Sequence, residues 1–168
     1  MKQLRIPLLL AAGVALISGP VASHAASDTA NATAEIVVPI AINNTQDLAF
    51  GKIDAQTGGT VVIDTAGSRT KTGAVILIAA GSTQTQATFD VTGDGTATYS
   101  ITLPAGSVSL SDGATHTMSV GTFTSSPSGT GTLTAGAQTI NVGGTLTVAS
   151  GQAAGSYTGT FTVTVEYN

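Results

Sequence analysis

The residues able to do acid–base or metal chemistry are few and scattered. Beyond residue 25 there is one histidine, His116 in "SDGATHTMSV", and the chain holds no cysteine and no tryptophan. A Ser-His-Asp triad would have to run through His116. Serines abound, yet none sits in a nucleophile-elbow sequence, so a lone histidine on a Thr-rich strand or turn reads as a solvated surface residue. "DVTGDG" brings Asp90 and Asp94 beside glycine. A calcium loop needs several closely spaced oxygen ligands and a later Glu, so a turn at Asp94-Gly95 is the better reading. "GSRTKTG" lacks the helix start into which a phosphate-binding loop leads. No catalytic, metal-ligating or cofactor-binding residue is assigned, and the chain is not expected to be an enzyme. A sugar site would need exposed aromatics. Phe50, Phe89, Phe123 and Phe161 are required to fill a core poor in large side chains, and Tyr99, Tyr157 and Tyr167 suit half-buried strand positions.

Charge narrows the partners. Residues 26–168 carry three basic residues (Lys52, Arg69, Lys71) against nine acidic ones, a net charge of −6. No Lys or Arg follows Lys71, so the basic stripe needed for phosphates or anionic lipid is missing. Residues 1–25 read as a cleavable export signal. Lys2 and Arg5 precede an apolar run from Ile6 to Ile17, and Ser23 and Ala25 stand before a cut ahead of Ala26. Twelve apolar residues fall short of the roughly 20 that a spanning helix needs, so the expectation is export rather than anchoring in a membrane. Without cysteine the exported domain must hold together by core burial and strand pairing alone.

The elements available to do this are strands. Alternation with period two runs through Ala34, Ile36, Val38, Ile40 and Ile42, through Phe89 and Val91, through Tyr99, Ile101 and Leu103, and through "TINVGGTLTV". "TVVID" and "AVILIA" read as short buried strands. Turn clusters such as "DAQTGG", "TAGSRTKTG", "TGDGT" and "SSPSGTG" separate them. The third of these places the expected turn at Asp94-Gly95, and the second is expected to expose Arg69 and Lys71. Many short strands with Gly-rich turns predict an all-β, antiparallel β-sandwich. From Tyr157 onward the odd positions read Tyr157, Gly159, Phe161, Val163, Val165, Tyr167 and the even ones mostly Thr, a terminal strand with Phe161, Val163 and Val165 toward the core.

Gly155, Phe161, Val163, Val165 and the penultimate Tyr167 together resemble the end of a chaperone–usher fimbrial subunit, in which a glycine is the fourteenth residue from the C-terminus. "TAEIVVPIAINNTQDLAFGKI" is similar to the opening of spore-coat-U-type subunits of archaic chaperone–usher pili, with Leu48, Phe50 and Gly51 matching their Leu-x-Phe-Gly motif. It departs from many such subunits at Ile42-Asn43, near the place of a cysteine in their first strand. The stretches "LAFGKI", "TYSITLP", "FTSSPSGTGTL" and "GSYTGTFTVTVEYN" also resemble a family of secreted bacterial domains of unknown function. The fimbrial resemblance implies an immunoglobulin-like sandwich that lacks one strand and is completed by a donor strand from a like subunit. It further implies fimbrial self-association at the cell surface and, as transport partners, a periplasmic chaperone and an usher.

Residues 26–38 would then be the extension, with Ala34, Ile36 and Val38 as the donor face, and residues 39–168 the sandwich. Ala30 to Ile42 spans about 43 Å at about 3.3 Å per residue, longer than one sandwich strand, and Pro39 suits a break within it. The residues fit a second arrangement equally. Thr33 to Ile42 would be the domain's own first strand, bent at Pro39, and the protein a self-complete surface or matrix monomer. An adhesive, ligand-binding module is the third reading.

Overall fold

The computed structural model describes residues 24–168, so the export signal lies outside the described residues apart from its last two positions. Residues 24–35 are exposed and in no strand, and Ile36–Asn168 form a unit of their own. Twelve strands follow within it. They are β1 (Ala41–Gln46), β2 (Ile53–Asp54), β3 (Gly59–Ile63), β4 (Arg69–Gly73), β5 (Ile76–Leu77) and β6 (Ala87–Thr92). The second half of the chain contributes β7 (Thr98–Thr102), β8 (Val108–Ser111), β9 (Thr117–Ser126), β10 (Thr130–Thr132), β11 (Ala137–Val148) and β12 (Thr164–Tyr167). Every strand pairing is antiparallel, and the fold is a β-sandwich.

β11 organises the larger layer. Along one edge its first half pairs with β6 and its second half with β3, while β9 runs along the opposite edge and carries β8. β1 closes the β6 side and β4 the β3 side. Gly143 stands where β6 gives way to β3, and a Cβ there would come within 2.3 Å of the Ile63 carbonyl oxygen. The strands can approach so closely only because that side chain is missing.

Two cores lie on the inner face of this layer. Over β6 and the first half of β11, the small sheet β10-β7-β12 packs Tyr99, Ile101, Val163 and Val165 against Phe89, Val91, Ile140 and Val142. Tyr99 is fully buried, and its hydroxyl donates to Gln138 Oε1 at 2.7 Å. Over β3, β9 and the second half of β11, Val61, Ile63, Val120, Leu146 and Val148 are covered by Phe50 and Val75, flanked by the two-stranded sheet β2-β5.

Three expectations need correction. The turn in "TAGSRTKTG" ends at Ser68, where Asp64 Oδ1 accepts from the N–H groups of Ala66 and Ser68. Arg69 and Lys71 therefore lie in β4, not in the turn. "AVILIA" supplies only the two residues of β5 because it lies over the second core as a thin cover. Val75 is buried while Ile76 turns to solvent. The terminal strand is shorter than the alternation from Tyr157 predicts. β12 pairs with β7 from Tyr167↔Tyr99 to Thr164↔Thr102 and stops there. Two residues beyond Thr102 stands Pro104, which has no N–H with which to continue the ladder.

Candidate functional site: an open apolar groove

Antiparallel ladders alternate the residues that bond across a given edge. Asn168 N–H donates to the Thr98 carbonyl, which puts the even residues of β12 on β7. The main-chain groups of Val163, Val165 and Tyr167 therefore face the other edge. No strand pairs with that edge among the described residues. Upstream, the main chain of Gly159–Val163 makes no hydrogen bond among the described residues. Other edges carry protection of the usual kind. β4 bears Arg69 and Lys71, and β1 is rich in Asn and Gln and bulges between Asn44 and Gln46. The segment from Gly159 to Val163, although in no strand, has neither charge nor proline.

Beside it runs an open groove of about 1380 Å³. One wall is the chain from Asn44 to Gln56 and the other is Gly151 to Phe161. The floor is aliphatic, formed by Val108 and Leu110 of β8, Met118 and Val120 of β9, and Leu146 and Val148 of β11. Val108, Leu110 and Met118 remain half-buried, as a floor awaiting a cover would. Toward β6 the lining becomes aromatic. There Phe161 meets Phe89 edge-on at 6.2 Å between ring centroids and stacks on Phe123 at 4.9 Å. The far end is closed by the Gly151 N–H donating to the Gln56 carbonyl at 3.3 Å.

Each wall is braced. The Arg69 guanidinium donates to the carbonyls of Phe50 (2.9 Å) and Ile78 (3.1 Å), tying β4 to the first wall. On the second wall Thr158 and Ser111 exchange main-chain hydrogen bonds of 2.9 and 2.8 Å, and the Tyr157 hydroxyl donates to the Ala153 carbonyl at 2.8 Å. Gly159 allows this wall to press on β8, since a Cβ there would meet the Ser109 carbonyl oxygen.

Residues 40–167 match the family described as Domain of unknown function (DUF4402). The chain belongs to that family. No curated protein and no solved structure is significantly similar to it. The DUF4402 match starts at Ile40, beside Pro39, and leaves residues 26–38 outside it.

Within this DUF4402 domain the residues singled out from sequence are distributed unevenly. Val163 and Val165 are buried, Phe161 and Tyr167 half-buried, and Thr160, Thr162 and Thr164 exposed. Gly155 lies in a bend on the groove wall, not in a strand. Leu48, Phe50 and Gly51 follow β1 as part of the first wall rather than ending the strand. Ala34, Ile36 and Val38 belong to no strand, and Ile36 is 98% exposed. Residues 33–40 thus do not form a first strand of the domain; β1 begins at Ala41. The groove floor and the Arg69 brace were not legible, because both depend on register between distant strands.

His116 stands away from any cluster of potential metal ligands among the described residues. It pairs with Asp112, whose Oδ2 lies 2.6 Å from His116 Nδ1 and whose Oδ1 accepts from the N–H of Ala114 at 2.8 Å. The His116 side chain first, then these turn N–H groups, hold the Asp112 carboxyl below the usual carboxylate range. A folded value below the unfolded one contributes stability that is present above about pH 4 and is lost as pH falls through the lower folded value. Asp112→Asn is therefore expected to shrink the loss of urea midpoint on acidification. A variant that loses as much as the parent below pH 4 would show that the pair carries none of the acid sensitivity.

Proposed function

We propose that this protein is an exported structural subunit that assembles by β-strand addition. Residues 26–38 of one copy fill the groove of the next, in the manner of a fimbria-like fibre at the cell surface. The observation that carries the reading is that the unpaired main chain of Gly159–Val163, just ahead of β12, lies beside an open apolar groove. The same chain holds an exposed alternating segment ahead of β1 and outside the family match. An added strand gains main-chain hydrogen bonds from the edge, and its alternate side chains enter the groove. Ile36 and Val38, fully buried, contribute about 3–6 kcal/mol together, while the alanines at 30, 32 and 34 contribute little. A chaperone and usher would hold and deliver a subunit with such an uncovered groove.

A peptide spanning Ala30–Val38, added to protein lacking residues 26–38, tests this. At a hundredfold excess over its dissociation constant it stabilises by about 2.7 kcal/mol. For a domain of this size that is a melting shift on the order of 10 °C. The full-length protein should form concentration-dependent oligomers. A monodisperse full-length monomer, with a truncated form that ignores the peptide, would instead leave a self-complete surface domain.

A further inference from the structure

The extension has a defined foot. The Tyr167 hydroxyl donates to the Val38 carbonyl at 2.8 Å and accepts from the Asp94 N–H at 2.6 Å. A phenol hydroxyl has one proton to give and lone pairs to receive, and here both capacities are used. The ring end lies against Gly93, where a Cβ would come within 2.2 Å of the hydroxyl oxygen. Gly93 is kept free of a side chain by this contact. Tyr167 also packs on the first core, and a Cβ at Gly93 would meet Leu133 Cδ1 at 3.0 Å as well, but the core does not account for the bond to Val38, whose carbonyl belongs to a residue that is 56% exposed.

We infer that Tyr167 is a positioning residue, a latch that holds the extension at Val38 and so keeps it out of its own groove. The inference rests on the strand-addition reading. The groove's first wall begins at Asn44 and continues β1. To enter its own groove the extension would have to reverse between Val38 and Ala41 and run back beside β1 and that wall. Pro39 and Ile40 lie between them, and Pro suits the second position of a type I turn, so the local chain does not forbid it. Entry by reversal also carries the strongest competitive advantage, because a tethered strand acts at an effective concentration in the millimolar range. A second copy at micromolar concentration would lose that competition. Turning the chain at Val38 withdraws its carbonyl from the hydroxyl, so the latch opposes the one motion that self-insertion needs.

Tyr167→Phe keeps the ring and removes only the hydroxyl. In the full-length protein it should weaken binding of the Ala30–Val38 peptide by up to about tenfold, the worth of one lost hydrogen bond, since the protein's own extension now competes. It should also slow thermolysin cleavage at Ile36–Val38 and shift oligomers toward monomer. Adding Ile36→Asp to Tyr167→Phe disables that competitor and should restore the peptide affinity. Gly93→Ala, which displaces the hydroxyl from the other side, should reproduce the single variant. If the parent protein binds the peptide and Tyr167→Phe binds it equally well, the latch is overturned while strand addition stands. Faster cleavage of Tyr167→Phe with unchanged peptide affinity would also overturn it, since the freed extension would not be entering the groove. If neither protein binds the peptide, strand addition fails and the latch with it.

Discussion

Val163→Asp is expected to leave no folded domain, whereas Thr162→Asp, one residue earlier, leaves the domain intact. Val163 is 8% exposed and packs in the first core with Ile101, Val165 and Phe89. Losing its burial removes about 1.5–3 kcal/mol. Placing an unpaired carboxylate there adds several kcal/mol more, against a total stability of about 5–15 kcal/mol for a domain of this kind. Thr162 is exposed, where substitutions usually change stability by no more than about 0.5 kcal/mol. Urea unfolding followed by circular dichroism distinguishes the two. A cooperative transition for Val163→Asp close to that of the parent would place the alternation on the wrong face.

Ile36→Asp should produce the opposite pattern, leaving the fold untouched and the assembly lost. Nothing in the domain packs on Ile36, which is 98% exposed, so the melting temperature of the monomeric protein should not move. In a neighbouring groove the same carboxylate would forfeit about 1.5–3 kcal/mol of isoleucine burial and carry a charge into an apolar floor, at several kcal/mol more. At 1.4 kcal/mol per decade the affinity falls by roughly a thousandfold or more. Light scattering over a concentration series and a melting curve measure both effects. Oligomers persisting in Ile36→Asp would exclude Ile36 from the contact, and a lowered melting temperature would mean that it packs on the domain after all.

The β-sandwich was legible because its signal is local. Val61 and Ile63, Phe89 and Val91, Tyr99 and Ile101, Ile140 and Val142 each alternate within a few residues, and each pair is buried. The terminal edge was half legible for the same reason. Alternation put Val163 and Val165 on one face, but only the position of Pro104 across the sheet decides that pairing ends at Thr164. The groove was not legible. Val108, Leu110 and Met118 look like any other strand residues until the register Leu110↔Met118 and Val108↔Val120 sets them in rows on its floor. Arg69 carries no acidic partner that a spacing rule could find, since its guanidinium is satisfied by carbonyls of other segments. "TGDG" signals a turn, and nothing near it indicates that a tyrosine hydroxyl will rest on Gly93.

The placement of β1 has a mechanical consequence. Its first residue, Ala41, is already paired with Thr92 of β6, and the ladder runs from there to Gln46↔Thr88. Tension applied through the extension therefore enters the domain along the axis of β1 and loads the rungs of that ladder together, in shear. They are not peeled open one after another. The adjoining strand β11 then spreads the load from β6 to β3 and β9, across both cores. A subunit hung by its N-terminal segment would be held at a strand end where a pull must break several hydrogen bonds at once.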